Sequence, residues 1–303
     1  MLSPIPSHLS SAYRQCQAQA FRHYENFPVA SLLLPKESRP HVAALYVFAR
    51  VADDFADEPP DLSFLRGKKG NEKKIQQWRL GKIDQWEKSL RSALKGKDAP
   101  PALQAFAHTL NAFQIPINLP LDLLKAFRMD VTVHRYADWN SLLNYCRHSA
   151  NPVGRMVLLI SGVRDEALHR YSDFICSGLQ LINFWQDSSL DLSRGRIYYP
   201  RSEWKKAGVP EKDLLARKWS PAARKLVENA INATQAHFQK GLPLLSAVRG
   251  RLGWELKATY GGGLGILNKI RAMDYNVLEN RPALSAWDKA ALALRTLFMP
   301  FRT

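Results

Sequence analysis

Apolar residues recur along this chain at intervals of three and four, and strict alternation is scarce, so the pattern predicts helices throughout. Ser7 to His23 is polar and amphipathic. Residues 24–35, broken by Pro28 and Pro35, read as a connector with one buried apolar turn. A helix begins at about Arg39, where Pro40 is tolerated in the first turn, and ends at Pro59-Pro60. Leu62 to Gly81, with glycines among lysines, reads as a flexible basic connection. Further helices are expected over 83–94, 101–113, 121–131 and 139–148. Asn151-Pro-Val-Gly154 is expected to interrupt the stretch before the buried run Met156–Ile160. One long helix is predicted from Glu166 to Asp191, and others over 221–241, 266–278 and 284–297. The Gly-rich stretch Tyr260–Gly265 lacks a phosphate-loop ending and a preceding strand, so it marks either a helix break or close packing. The expectation is an all-α fold in a single domain over residues 1–303.

Two helical stretches carry clustered acids. Arg50-Val-Ala-Asp-Asp-Phe-Ala-Asp-Glu58 closes the apolar run that starts at His41, and it pairs Asp53 with Asp57 and Asp54 with Glu58 at i,i+4. Like charges at that spacing destabilise a helix. Either the acids face water at a helix end, or a divalent cation turns the repulsion into a site. The second stretch, Leu179 to Asp191, places Asn183, Asp187 and Asp191 at i, i+4 and i+8, with Gln180 one turn earlier. Asp187 and Asp191 are then roughly 6 Å apart along the axis. The apolar Leu179, Ile182 and Phe184 suggest that this polar stripe faces the core, where unpaired carboxylates are costly. Two such stripes, far apart in sequence, point to Mg2+ gripping a diphosphate.

Composition narrows the partners. At 46% hydrophobic and 23% charged the chain is ordinary for a globular protein. Its formal net charge of +16 suits nucleic acid, anionic lipid or a polyphosphate substrate. Much of the excess lies between Arg66 and Lys97, where only Glu72, Asp84 and Glu87 are acidic. No nucleic-acid-binding signature is present, so no nucleic-acid partner is expected. Cys16, Cys146 and Cys176 are too scattered for a disulfide frame or a zinc site, which implies a reducing, cytoplasmic compartment. Neither a signal peptide nor a membrane-spanning run is apparent. The segment Leu284–Thr303 mixes Trp287, Leu297, Phe298, Met299 and Phe301 with Lys289, Arg295 and Arg302. It reads as a surface anchor on the inner face of the cytoplasmic membrane, or equally as a last core helix.

These stretches together resemble the squalene/phytoene synthases, whose fold is the all-α isoprenoid synthase bundle around a central cavity. The landmarks are Tyr46-Val-Phe-Ala-Arg50, Asp53-Asp-Phe-Ala-Asp57, Tyr145-Cys146, Val153-Gly154, Gln180 to Asp187, Asp191, and Arg194-Gly-Arg-Ile-Tyr-Tyr-Pro200. Glu25–Ser31 and Asn151–Arg155 look most like the hydroxysqualene synthase branch of bacterial hopanoid pathways. The resemblance implies that Asp53, Asp57, Asp187 and Asp191, with Asn183, bind Mg2+ (Mn2+ being a substitute). It implies that Gln186, Arg194, Arg196, Tyr198 and Phe27 contact the substrate. Arg50 would lie near the diphosphate, and Tyr46 and Tyr145 would line the cavity, where an aromatic face stabilises a carbocation. Ordinary core packing is the other reading of both tyrosines.

Departures from the family pattern indicate the branch. Condensing members usually carry small hydroxyl residues and a lysine where this chain has Tyr24 and Glu25, and often an arginine where it has Gln186. Fewer cations suit a substrate with one diphosphate. The resemblance therefore implies that presqualene diphosphate ionises, rearranges and is captured by water to give hydroxysqualene. No NADPH is expected, and the substrate would come from a presqualene diphosphate synthase. The alternative within the family is a head-to-head condensing synthase acting on two prenyl diphosphates. A basic helical scaffold or nucleic-acid-binding protein with inert acidic patches is the remote one.

Overall fold

Pro40 is the second residue of a 19-residue helix that begins at Arg39, as expected from a residue with no N–H to lose in a first turn. The computed structural model describes residues 4–22, 34–57, 71–288 and 291. The chain divides into two compact units, one comprising residues 1–132 and 155–164, the other 133–154 and 165–303. Among the described residues there are helices and no strands; the extended pairing is one parallel bridge between Arg135 and Ile197.

The first unit contains α1 (Ser10–Arg22), preceded by a 3-10 turn over Ser7–Leu9, then α2 (Arg39–Asp57), α3 (Asn71–Ala93), α4 (Pro101–Ala112) and α5 (Asn118–Thr132). α2 packs against the other four helices. Its buried stripe of Ala43, Ala44, Ala52 and Ala56 keeps neighbours close, while Phe48 fills the core between Phe106 and Trp86. The Trp86 indole N–H donates to the Phe48 carbonyl at 3.3 Å, which ties α3 to α2. A polar cluster is buried in the same unit. The Tyr13 hydroxyl lies 3.1 Å from His41 Nδ1, 2.8 Å from His108 Nδ1 and 2.9 Å from Thr109 Oγ1.

The basic stretch before residue 83 corrects the expectation of a flexible connection. Residues 71–81 form the first half of α3, and residues 58–70 lie outside the described residues. Tertiary contacts override the local signals of lysine and glycine. Arg128 of α5 reaches Asp84 and Glu87 at 2.7 Å each, and Gln76 donates to the Val131 carbonyl.

α7 (Asn151–Ile160) starts in the second unit and ends in the first; Asn151-Pro152 begins this helix where an interruption was expected. The remainder of the second unit comprises α6 (Trp139–Ser149), α8 (Glu166–Gln186), α9 (Ser188–Ser193), α10 (Arg201–Lys206), α11 (Glu211–Leu215), α12 (Pro221–Gln239), α13 (Leu242–Ala247) and α14 (Gly250–Ala272). α8 is its axis, packed by α6, α12, α13 and α14. Local signals set the helix starts: Asp165 caps α8, Ser220 caps α12, and Asp138 with Ser141 forms a capping box on α6.

Glycine sets how closely α12 and α14 approach α8. A Cβ on Gly178 would stand 2.4 Å from the Phe238 ring, and one on Gly263 would stand 3.1 Å from both Leu179 and Phe238. The Gly-rich stretch is therefore close packing inside α14, not a helix break. The three thiols are free, and burial pushes those of Cys16 and Cys176 up to about 11, so they pack and do not react.

Candidate active site

On α2, the residues one turn apart form a single polar face. Tyr46 precedes Arg50 by four residues, and Arg50 precedes Asp53 and Asp54 by three and four. The Arg50 guanidinium lies 2.7 Å from an Asp54 carboxylate oxygen and 3.4 Å from one of Asp53. One cation thus offsets the crowding of Asp53 and Asp54, and it uses Asp54 more closely than Asp53. All three side chains are partly exposed, and Asp57 is exposed at the helix end. The Tyr46 phenol is raised above its ordinary range, first by burial, with Arg50 acting against the shift and Asp54 and Asp53 adding to it. Tyr46 therefore shares the electrostatics of the acidic face. Glu58 and the Tyr24–Phe27 segment, including Phe27, lie outside the described residues.

The second acidic stretch departs from the sequence expectation in two ways. The helix does not run unbroken to Asp191: α8 ends at Gln186, and Asp187, at φ −96° and ψ 10°, caps it before α9 begins. The Ser188 hydroxyl donates to the Phe184 carbonyl at 3.0 Å, a back-bond that competes with the helical ladder and bends helices. The offset is small, because the Asp187 N–H still reaches Asn183 and the Asp191 N–H still reaches Asp187, each at 2.9 Å. Second, the stripe does not face the core. Asn183 is exposed and Asp187 and Asp191 are half-buried, while Leu181, Ile182, Phe184 and Trp185 take the buried positions. Carboxylates escape the cost of desolvation this way and remain open to a ligand.

A residue that sequence reasoning missed sits on this stretch. Arg281 donates from Nε to the Asp187 carboxylate at 2.5 Å, and Gln186 donates to the Pro282 carbonyl at 2.8 Å. The cation missing at Gln186 is therefore restored from 94 positions away in the chain. That weakens the inference drawn from Gln186 alone. No local pattern signals such a pair.

The loop after α9 is pinned by Asp191, whose carbonyl accepts from the Arg194 and Arg196 N–H groups at 3.1 and 2.9 Å. Arg194 is exposed and Arg196 half-buried. The Arg135 side chain holds the same loop through the Gly195 carbonyl and pairs with Glu211 at 2.8 Å. Tyr198 then stacks on Phe184 at 3.7 Å between centroids, 9° from parallel. Tyr145, 5% exposed, completes an aromatic group with Phe184 at 5.7 Å, Tyr198 at 6.5 Å and Tyr136 at 5.8 Å. Tyr136 belongs to no motif and was not anticipated. Of the expected membrane-surface tail, residues 286–288 and 291 are helical and Trp287 is 86% exposed. No helix among the described residues is long and apolar enough to cross a membrane.

Within the second unit the structure thus gathers Asn183, Gln186, Asp187, Asp191, Arg194, Arg196 and Tyr198 along the end of α8 and the chain after it, with Tyr145 of α6 against Phe184 and Tyr198. Within the first unit it gathers Tyr46, Arg50, Asp53 and Asp57 on α2. Comparison with known proteins gives the family. The squalene/phytoene synthase family model matches residues 21–288. Hydroxysqualene synthase of Rhodopseudomonas palustris is 34% identical over 252 residues, covering 82% of this chain and 80% of that protein. Hydroxysqualene synthase of Zymomonas mobilis is 36% identical over 237 residues, covering 77% and 74%. The crystal structure of squalene synthase HpnC from Alicyclobacillus acidocaldarius superimposes with a TM-score of 0.80 at 36% identity, over 90% of this chain and 97% of that one. A dehydrosqualene synthase, 20% identical, shares the fold at a TM-score of 0.79. With a family model matching most of its length, the isoprenoid synthase fold and relatives of this kind, the chain belongs to the squalene/phytoene synthase family.

Proposed function

We propose that this chain converts presqualene diphosphate and water into hydroxysqualene and inorganic diphosphate. The observation that carries this reading is the 34–36% identity to relatives named hydroxysqualene synthase, over most of the chain. The family acts on prenyl diphosphates, and the acidic faces described above suit such a substrate through a bridging cation.

A divalent metal fits the residues present. Asp53 and Asp57 on α2, and Asp187 and Asp191 with Asn183, are oxygen donors on accessible faces. Among the described residues no three His, Cys, Asp or Glu side chains form a ready-made cage. Mg2+ matches that arrangement, because it takes a few carboxylates and completes its shell with water and substrate phosphate; Mn2+ shares the preference for oxygen. When bound, the metal supplies Lewis-acid stabilisation of the departing diphosphate.

The chain's own residues supply the rest. In the second unit Arg194, Arg196 and Gln186 orient the diphosphate while its C–O bond breaks and the electron pair leaves with oxygen; in the first, Arg50 is the guanidinium beside Asp53 and Asp54. The ring of Tyr145 offers its π electrons to the resulting cyclopropylcarbinyl cation, an attraction worth about 2 kcal/mol when desolvated. Ring opening moves the charge along the chain, water adds, and its proton passes to solvent. Tyr46 keeps its proton near neutral pH, as any phenol does, and so carries a hydroxyl able to orient water.

Substrate choice tests this reading. Purified protein with Mg2+ is expected to turn presqualene diphosphate into an alcohol and to leave farnesyl diphosphate unchanged. Rapid diphosphate release from farnesyl diphosphate alone, with a coupled product, would assign the chain to the condensing branch instead.

A further inference from the structure

The second unit carries an apolar surface pocket of about 210 Å3 where α6, α8 and α12 meet. Its floor is the buried Leu181, and Trp139 and Leu143 of α6 form one wall. Opposite them stand Ala233 and Ala236, exposed positions of α12 where a longer side chain would fill the space. Leu181 and Asn183 are two residues apart, hence about 200° apart around α8. The pocket therefore opens on a different side of α8 from the acidic stripe.

Its polar groups are few and of one kind. Lys240 lines the pocket, and its ammonium sits 5.7 Å over the Phe174 ring. His237 lines it too, packed edge-on against the same ring at 5.1 Å. Burial first, then the Lys240 charge, holds the His237 imidazole below its ordinary range and hence neutral at pH 7. Its Nε2 is buried without a hydrogen-bond partner among the described residues, an arrangement that costs free energy until something pairs with it.

An apolar pit with a single cation at hand suits a single-chain amphiphile with a singly charged anionic head. At about 30 Å3 per group, the pit holds roughly seven methylene-sized groups. We propose that it binds a medium-chain fatty carboxylate, with the tail on Leu181 between Trp139 and Ala236 and the carboxylate against Lys240. A cationic head is repelled there, and a diphosphate would find too few cations. His237 offers the headgroup a hydrogen bond after a small turn of its ring. The site is independent of the reaction proposed above.

Calorimetric titration of the full chain with octanoate, octanol and octyltrimethylammonium, each kept below its micellar concentration, tests this. Octanoate is expected to bind saturably and at least tenfold tighter than octanol, with the ammonium compound weakest. Ala236→Leu should weaken octanoate at least tenfold while turnover and thermal stability stay unchanged. Lys240→Ala should erase the preference for octanoate over octanol. The proposal is overturned by non-saturable octanoate uptake, by equal affinity for octanoate and octanol in the parent chain, or by unchanged affinity in Ala236→Leu.

Discussion

Asp53→Asn, and separately Asp187→Asn, are expected to lower kcat for diphosphate release about a thousandfold while leaving the fold intact. A metal stabilising the leaving group contributes several kcal/mol, and each 1.36 kcal/mol is a factor of ten in rate. The fold survives because neither carboxylate is buried in the core. Asp53 makes a partly exposed contact with Arg50 at 3.4 Å, and Asp187 a partly exposed pair with Arg281. Ion pairs of that kind contribute at most about 1 kcal/mol. Asparagine at residue 53 even relieves like-charge repulsion with Asp57 at i,i+4. Steady-state kinetics across a Mg2+ series, with circular dichroism melts beside them, separates the two effects. Parental activity in either variant at limiting Mg2+ removes that residue from the metal site.

Acid should destabilise the protein through a group remote from any motif. His41 is 3% exposed, among Tyr13, Thr109, Phe113 and His108. Burial first, then the neighbouring His108, pulls its pKa down to about 4, against an ordinary value of 6.5. Between those values the unfolded chain binds a proton that the folded chain refuses. Stability therefore falls as pH drops from about 6.5 towards 4, and this contribution levels off below. The loss amounts to about 3 kcal/mol, a large share of the 5–15 kcal/mol that typically holds a protein folded. Urea unfolding at pH 7 and pH 4.5 measures it, and the comparison with His41→Leu isolates it from the carboxylates titrating in the same range. The variant should be less stable at pH 7 yet lose less on acidification. An identical loss in both proteins would show that His41 is not the group responsible.

The parts of the fold legible in the sequence were those set by local chemistry. Pro40 fixed the start of α2, and the spacing of Arg50, Asp53 and Asp57 gave one helical face, because both depend on neighbours within two turns. The features missed depend on distant partners or on competing local bonds. The first half of α3 looked too basic and glycine-bearing to hold a helix, yet Gln76 ties it to the Val131 carbonyl of α5 and the second half is anchored by Arg128 and the Trp86–Phe48 bond. The break at Asp187 coincides with a serine hydroxyl bonding the Phe184 carbonyl, a local competition that the apolar period does not reveal. The apolar pattern around Asn183 was read as burial, although the stripe itself turns to solvent. Arg281 and the Tyr13–His41–His108 cluster join residues tens of positions apart, and no period in the sequence announces them.

The most direct test of the central claim is the fate of water oxygen. Presqualene diphosphate is incubated with the protein and Mg2+ in 18O-labelled water, and the products are separated by mass. Ionisation followed by water capture predicts one 18O atom in hydroxysqualene and none in the released diphosphate. Label in the phosphate product, with an unlabelled alcohol, would mean that a P–O bond had been hydrolysed and would contradict the account.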